Sequence, residues 1–335
     1  MKTNYPAQPG AGCAGKLSFI LTFCPEFRKG LDAASKKSYA GKKANTRKRR
    51  DKMEQKKALA LHDLSAVGRA GLTQAMSALT AMGHQCIPLP TAVYSSHAGI
   101  PGFVTQDLTD WLSGALGQYE ALGLRFDAVL SGFLSAPAQV ECVRRAAACK
   151  QPNGILLVDP VMGDNGKLYK ICTPELVDSL RQLCHMADYI TPNVTEAAVL
   201  LDLPADTTPE SMTEAEDWVH RLCERYETRT VLTGLGDETT VFTLCGQDDT
   251  VQTVTNPKIG AYYPGTGDLF AAVLTGSLLR GDLLRDAASC AANFVCECIR
   301  ATAQMDSQPQ WGVILEPQLW RLYDEGKFTG NRTVL

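Results

Sequence analysis

Gly265-Thr266-Gly267-Asp268 stands at the head of a run of small and apolar residues that continues to Gly281. Two glycines permit a tight turn whose amide hydrogens point one way. If a helix starts there, its positive end adds to them, and the turn becomes an anion hole. An acid just inside such a turn repels phosphate, so Asp268 makes a poor anion ligand. It makes a better base. A carboxylate beside an alcohol can take its proton as that oxygen attacks phosphorus, while the amides of Gly265, Thr266 and Gly267 stabilise the group in transit. The competing reading is an ordinary helix start, because the four residues alone are a weak signal.

Three further acids strengthen the chemical reading. Asp159 and Asp164 bracket "DPVMGD" at the end of an apolar run, and Glu196 lies in "TPNVTEA" after another. Hard oxygen ligands of this kind suit Mg²⁺ carrying polyphosphate, some of them through water. Any one of them alone is ordinarily a solvated side chain. Thr191 precedes Glu196 in the same stretch. Thr233 and Gly234, in "LTGLG", end a strand where a nucleotide can approach the backbone closely, or where the chain simply turns. The five histidines show no metal-ligand spacing. His97, in "SSHAG", is expected to contact substrate, and the other four to lie at the surface or behind the site. There is no GxxxxGK[ST], no GxGxxG after a first strand and no GxSxG. These absences weigh against a P-loop, a dinucleotide fold and a serine hydrolase.

The elements that must position these residues alternate. Apolar runs at 57–63, 86–94, 126–134, 154–164, 188–193 and 228–236 read as strands. Helical spacing is found at 71–83, 104–123, 137–150, 173–187 and 213–226, from Thr266 onward and at 283–303. Residues 239–246 and 249–257 alternate like an antiparallel pair. Repeated βα units with apolar strands predict an α/β fold: a central, mostly parallel sheet with helices on both faces. Ligands in such sheets sit beyond the carboxyl ends of the strands, where the polar residues named above fall.

The 335 residues, 45% of them hydrophobic, suit one large domain or two small ones. Residues 1–57 hold 15 of the 33 Lys and Arg but 4 of the 36 Asp and Glu, leaving 18 basic against 32 acidic residues beyond. The acidic body argues against nonspecific nucleic-acid binding. Twelve cysteines without a framework pattern read as free thiols of a reducing, cytoplasmic compartment. No stretch has the 18 apolar residues of a membrane span. Residues 1–56 are expected to be a disordered basic extension or sequence upstream of the true start. The body, 57–335, is expected to be a single domain.

Together, "HDLSAVGRAGLTQAMSALTAMG", "PLPTAVYSSHAG", "DPVMGDNGKLY", "DYITPNVTEA" and "PGTGDLFAAVLTGSLLRG" resemble the pyridoxal/pyridoxamine kinases of the ribokinase-like family. The resemblance implies a three-layer sandwich and phosphorylation of the 5′-hydroxymethyl group of a vitamin B6 vitamer by ATP. It implies Mg²⁺, often with a monovalent cation such as K⁺, and a homodimer. Asp268 would be the base and Gly265, Thr266 and Gly267 the anion hole. Asp159, Asp164, Thr191 and Glu196 would lie near nucleotide and metal, and Thr233 and Gly234 along the nucleotide. Asp63, Tyr94 and His97 would face the pyridine. Many members carry serine where this chain has Asp63 and threonine where it has Ala98. Asp63 is therefore expected to accept a hydrogen bond from the ring nitrogen or the 3-hydroxyl. Hydroxymethylpyrimidine kinases share "DPVMG", "TPN" and "GTGD" and are the enzyme alternative. A non-catalytic, B6-binding regulatory protein is a further one, which the intact GTGD disfavours.

Overall fold

Successive residues of the inner strands are buried on opposite sides, as a sheet covered on both faces requires. Leu59, Leu61, Val129, Leu156 and Val158 enter one core, while Ala60, Leu130 and Leu157 enter the other. The computed structural model describes residues 55–323 except Ala261 and Asp306, all within one compact unit. The expected basic extension therefore lies outside the described residues, apart from Gln55 and Lys56.

Eleven strands are present among the described residues. They are β1 (Lys57–Ser65), β2 (Gln85–Tyr94), β3 (Thr105–Asp107), β4 (Phe126–Ser131), β5 (Lys150–Val158), β6 (Gly163–Asp164), β7 (Lys167–Leu168), β8 (Tyr189–Ile190), β9 (Arg229–Gly236), β10 (Thr240–Gln247) and β11 (Thr250–Pro257). Nine form one sheet in the order β11-β10-β9-β8-β5-β4-β1-β2-β3, and β6 and β7 form a separate hairpin. The six strands from β2 to β9 in that order pair parallel; β3, β10 and β11 add antiparallel edges.

The helices are α1 (Leu72–Ala81), α2 (Thr109–Ala121), α3 (Pro137–Ala148), α4 (Pro174–Cys184), α5 (Val194–Leu200), α6 (Met212–Tyr226), α7 (Thr266–Leu279) and α8 (Leu284–Ala303). Helices α2 to α6 cover one face. Helices α1, α7 and α8 cover the other, with Val313, Leu315 and Leu322. The three layers expected from the βα alternation are present. Helix α7 is buried from Leu269 to Ser277, which explains its uniformly small and apolar composition.

Two local expectations are corrected. The helix expected over 104–123 begins only at Thr109. Residues 105–107 pair with β2, and Asp107 Oδ1 accepts the Thr109 amide at 2.8 Å, so the acid starts the helix from outside it. The stretch after Pro192, which is not among the helices expected from spacing, is a helix. Asn193 accepts the Glu196 amide at 3.0 Å, and Glu196 Oε2 accepts the Asn193 amide at 2.9 Å, a reciprocal cap that starts α5.

Strand β1 neighbours β2 on one side and β4 on the other, so the chain reverses its winding between β1 and β4. A crevice forms beyond the carboxyl ends at such a point. The residues there are His62 and Asp63 from β1 and Gly132 and Phe133 after β4.

Candidate active site

Gly265 has φ 79°, and a side chain there would drive into the Arg69 carbonyl oxygen. Only glycine combines that left-handed turn with so close a neighbour. The turn starts α7, whose first amides have no acceptor within the helix. Gly267 has no neighbour within 4 Å of where a Cβ would stand, so this end of the helix opens onto space. The Thr266 hydroxyl donates to the Tyr263 carbonyl at 3.2 Å. Arg69 ties the turn to the C-terminal segment: its amide donates to the Trp311 carbonyl, and its side chain pairs with Glu316 at 2.9 Å.

Asp268 is held from two sides. Its Oδ2 accepts the Gly71 amide at 2.6 Å, and its Oδ1 lies 3.2 Å from His62 Nε2. His62 Nδ1 lies 2.8 Å from Asp63 Oδ1, and Asp63 Oδ2 accepts from the Ser65 hydroxyl at 2.7 Å. Three neighbouring elements thus build one chain of polar groups: β1, the Gly71 turn and the start of α7. The β1–β2 register slips between His62 and Leu64, at the point where Asp63 leaves the regular ladder.

The charges follow from this geometry. Burial by itself would push the Asp268 carboxyl up; the His62 charge and hydrogen bond and the Gly71 amide together outweigh it, and the carboxyl is held below its ordinary range. Burial would lower His62, but Asp268 and Asp63 raise it well above the ordinary imidazole value. Asp159 is only 7% exposed. Its burial, reinforced by the Asp268 charge, pushes its carboxyl up to about 7.

The residues expected near nucleotide and metal come together at the ends of β5, β8 and β9. Thr191 lies beside Asp159, its buried hydroxyl without a well-formed partner; the hydroxyl of Ser131, at the end of β4, is also unpartnered. Thr233 bridges to Asn193, and Gly234, with φ 79°, packs on Asn193 and Val194. Glu196 is buried, with Oε1 accepting the Met162 amide at 3.0 Å and Oε2 serving the α5 cap. Burial, with the Asp159 charge next, raises its carboxyl well above the ordinary value. Asp164 stands apart on the β6–β7 hairpin, where it accepts from the backbone and side chain of Asn165. Tyr262, from the segment before α7, lies beside it and is pushed up by burial and then by the Asp164 charge.

Near Asp63, Tyr94 packs against Phe103 and Phe133, with ring centroids 5.4 and 6.3 Å away. His97 Nε2 lies 2.6 Å from the Gln310 carbonyl, and its Nδ1 accepts the Gly99 amide at 3.2 Å. Both its ring nitrogens are therefore taken by the protein, and the ring ties its own loop to the Pro309–Trp311 turn. Asp63 likewise has both oxygens engaged.

Of the two places expected for His62, the surface and behind the site, it takes the second: it is buried and in contact with Asp268. Gly71, Gly132, Phe103 and Phe133 were missed. An HD pair ending the first strand was the one signal that pointed toward His62.

The family model for phosphomethylpyrimidine kinase matches residues 63–311. The chain belongs to that family. A pyridoxine/pyridoxal/pyridoxamine kinase of Bordetella bronchiseptica is 27% identical over 244 residues, 71% of this chain and 86% of the relative. A candidate phosphomethylpyrimidine kinase of Bacteroides thetaiotaomicron, crystallised with pyridoxal, is 38% identical with a TM-score of 0.75, covering 80% of this chain and 96% of that one. The pyridoxal kinase of Lactobacillus plantarum is 30% identical with a TM-score of 0.74, covering 80% and 97%. The fold of the family member described here is thus the ribokinase-like three-layer sandwich of these kinases.

Proposed function

We propose that this chain transfers the γ-phosphoryl group of ATP to the 5′-hydroxymethyl group of a B6 vitamer: pyridoxal, pyridoxamine or pyridoxine. The observation that carries it is Asp268, a partly buried carboxylate held ionised at the open start of a helix, beyond the carboxyl ends of the strands. The alcohol O–H bond breaks as its proton passes to Asp268. The freed oxygen attacks the γ-phosphorus, the bond from that phosphorus to the bridging oxygen breaks, and ADP leaves with the electron pair. The amides at Gly265, Thr266 and Gly267 stabilise the phosphoryl oxygens throughout. Thr191, Thr233 and Gly234 border the nucleotide.

The donor set fits Mg²⁺. Asp159 is a buried carboxylate raised to about 7 beside an unpartnered hydroxyl, so a cation there would relieve it. No group of three or more His, Cys, Asp or Glu among the described residues forms a closed cage. That suits an ion that takes one or two carboxylates and keeps its waters. Asp159 would hold it, with Asp164 at the hairpin and Glu196, whose oxygens already serve backbone amides, through water. Bound there, Mg²⁺ neutralises charge on the phosphates.

The Tyr94, Phe103 and Phe133 rings offer a face to a pyridine, and Tyr94 pairs with Ser65, two residues from Asp63 on β1. Hydroxymethylpyrimidine is the second reading, favoured by the name of the family model. Relatives named for pyridoxal or pyridoxine, and the relative crystallised with pyridoxal, weigh toward B6. A homodimer and a cytoplasmic location belong to the same reading. No helix among the described residues is long and apolar enough to cross a membrane, and the ten cysteines among them are free.

The test is turnover of Mg-ATP with each vitamer and with hydroxymethylpyrimidine, in K⁺ and in Na⁺, for wild type and D268N. Vitamer turnover that collapses in D268N with binding retained supports the reading. Turnover of the pyrimidine alone moves the assignment to the second reading, and no turnover by folded protein favours a non-catalytic binder. Sedimentation of the same preparation tests the dimer.

A further inference from the structure

His62 is 4% exposed, and its ring lies against Gly132, where a Cβ would collide with it. Each ring nitrogen faces a different carboxylate: Nδ1 at 2.8 Å from Asp63 Oδ1 and Nε2 at 3.2 Å from Asp268 Oδ1. A neutral imidazole carries one N–H and satisfies one carboxylate, leaving a lone pair aimed at the other. The Asp63 amide, 2.9 Å from Nδ1, would suit a lone pair there. The Asp63 carboxylate oxygen is nearer and carries charge, so two N–H donors fit the arrangement better than one. With the Gly71 amide on Oδ2, His62 then fixes both oxygens of Asp268 and leaves each a lone pair toward the crevice.

We propose that His62 is a positioning residue for Asp268: held as an imidazolium between Asp63 and Asp268, it aims the carboxylate and keeps it charged in a buried site. Asp63 then positions His62 and is no ligand of the substrate ring. This rests on the reading of Asp268 as the base. His62 keeps its proton throughout the reaction; the proton of the alcohol goes to Asp268 and from there to solvent.

Several groups besides His62 face Asp268 electrostatically. They are Asp159 from the end of β5, His97 from the loop after β2, Tyr169 after β7 and Tyr262 before α7. Asp63 and Asp159 face His62 together with Asp268. The acids among them favour the imidazolium.

Two measurements test the inference. The first needs no turnover. Side-chain ¹⁵N spectra of the full chain, with His62 assigned by its loss in H62Q, should show both ring nitrogens protonated at pH 7. D268N and D63N should each lower the titration midpoint of His62. A neutral His62 at pH 7 in wild type overturns the proposal. The second is the pH profile of kcat/KM with the vitamer that wild type turns over. In H62Q, burial of Asp268 loses the largest of the influences that oppose it, so the acidic limb should move up by about one pH unit or more. The value of kcat should fall 10-fold to 100-fold, with KM for ATP within twofold of wild type. G132A, which displaces the ring without removing it, should move the limb the same way and serves if H62Q does not fold. An acidic limb unmoved in folded H62Q or G132A overturns the proposal. If wild type turns over no substrate, the proposed function fails while the spectra still decide the state of His62.

Discussion

Replacing Asp159 by asparagine should make the nucleotide-free protein more stable, and more so at high pH. The wild-type carboxyl ionises near 3.8 when exposed and near 7 in the fold. Between those values the folded state keeps a proton that the unfolded state has lost, so each pH unit upward costs about 1.4 kcal/mol of stability. The penalty is about 2 kcal/mol at pH 5 and levels off near about 4 kcal/mol above pH 7. Asparagine carries no such penalty at either pH. Changes in packing and hydrogen bonding made by the amide are independent of pH and cancel in the comparison. The stability gained by D159N should therefore be about 3 kcal/mol larger at pH 8 than at pH 5, several degrees in Tm for a domain of this size. Relief of Glu196, which the Asp159 charge also raises, acts in the same direction.

The assay is thermal and urea unfolding of both proteins at pH 5 and pH 8, in EDTA and without nucleotide. A non-hydrolysable ATP analogue with Mg²⁺ is then added. If Asp159 holds the ion, ligand stabilises wild type more than D159N, and the gap at pH 8 closes or reverses. A D159N advantage that is the same at both pH values would refute the reasoning, because it would place the carboxyl of Asp159 in its ordinary range. An advantage with the expected pH dependence that Mg²⁺ and nucleotide leave untouched would remove the metal from Asp159 and keep the electrostatics.

G265A puts a Cβ at a left-handed φ and into the Arg69 carbonyl, so the turn must open; kcat should fall by about 100-fold to 1,000-fold as the amides lose their aim, read in steady-state turnover. Y94A removes a ring packed between Phe103 and Phe133; KM for the vitamer should rise about 10-fold with KM for ATP unchanged, measured by varying each substrate in turn. D63A, if Asp63 serves His62, should lower kcat and leave KM for the vitamer within twofold, whereas a contact to the ring nitrogen or 3-hydroxyl would raise that KM. Removing residues 1–53 should leave kcat and both KM values unchanged, since the residues assigned here to the site fall between His62 and Asp268.

The sequence carried the layers because burial on both faces of a sheet leaves uninterrupted apolar runs, and those runs marked the inner strands of the main sheet. It carried the turn ahead of Asp268 because glycines are needed where the backbone turns left-handed, and Gly265 does. It did not carry α5, whose start is a two-way bond between Asn193 and Glu196 that reads equally well as a polar loop. Glu196 shows the same difficulty from the side of function. Its acid suggested a metal, yet its two oxygens already hold the Met162 and Asn193 amides.

His62 is the sharper case. Nothing in a single histidine tells whether one of its nitrogens will meet a carboxylate 206 positions away, and that separation is closed only by the fold, which brings the start of α7 to the end of β1. What was legible was a mismatch: a carboxylate at 63 where a serine is common in the resembling kinases. A second acid in a buried crevice needs a positive partner, and the residue next to it supplies one. The Asp63–His62–Asp268 chain thus accounts for the departure at 63 as the electrostatic counterpart of a buried imidazolium. On that account the departure touches the aim and charge of the base more than the choice of vitamer, which falls to the rings around Tyr94.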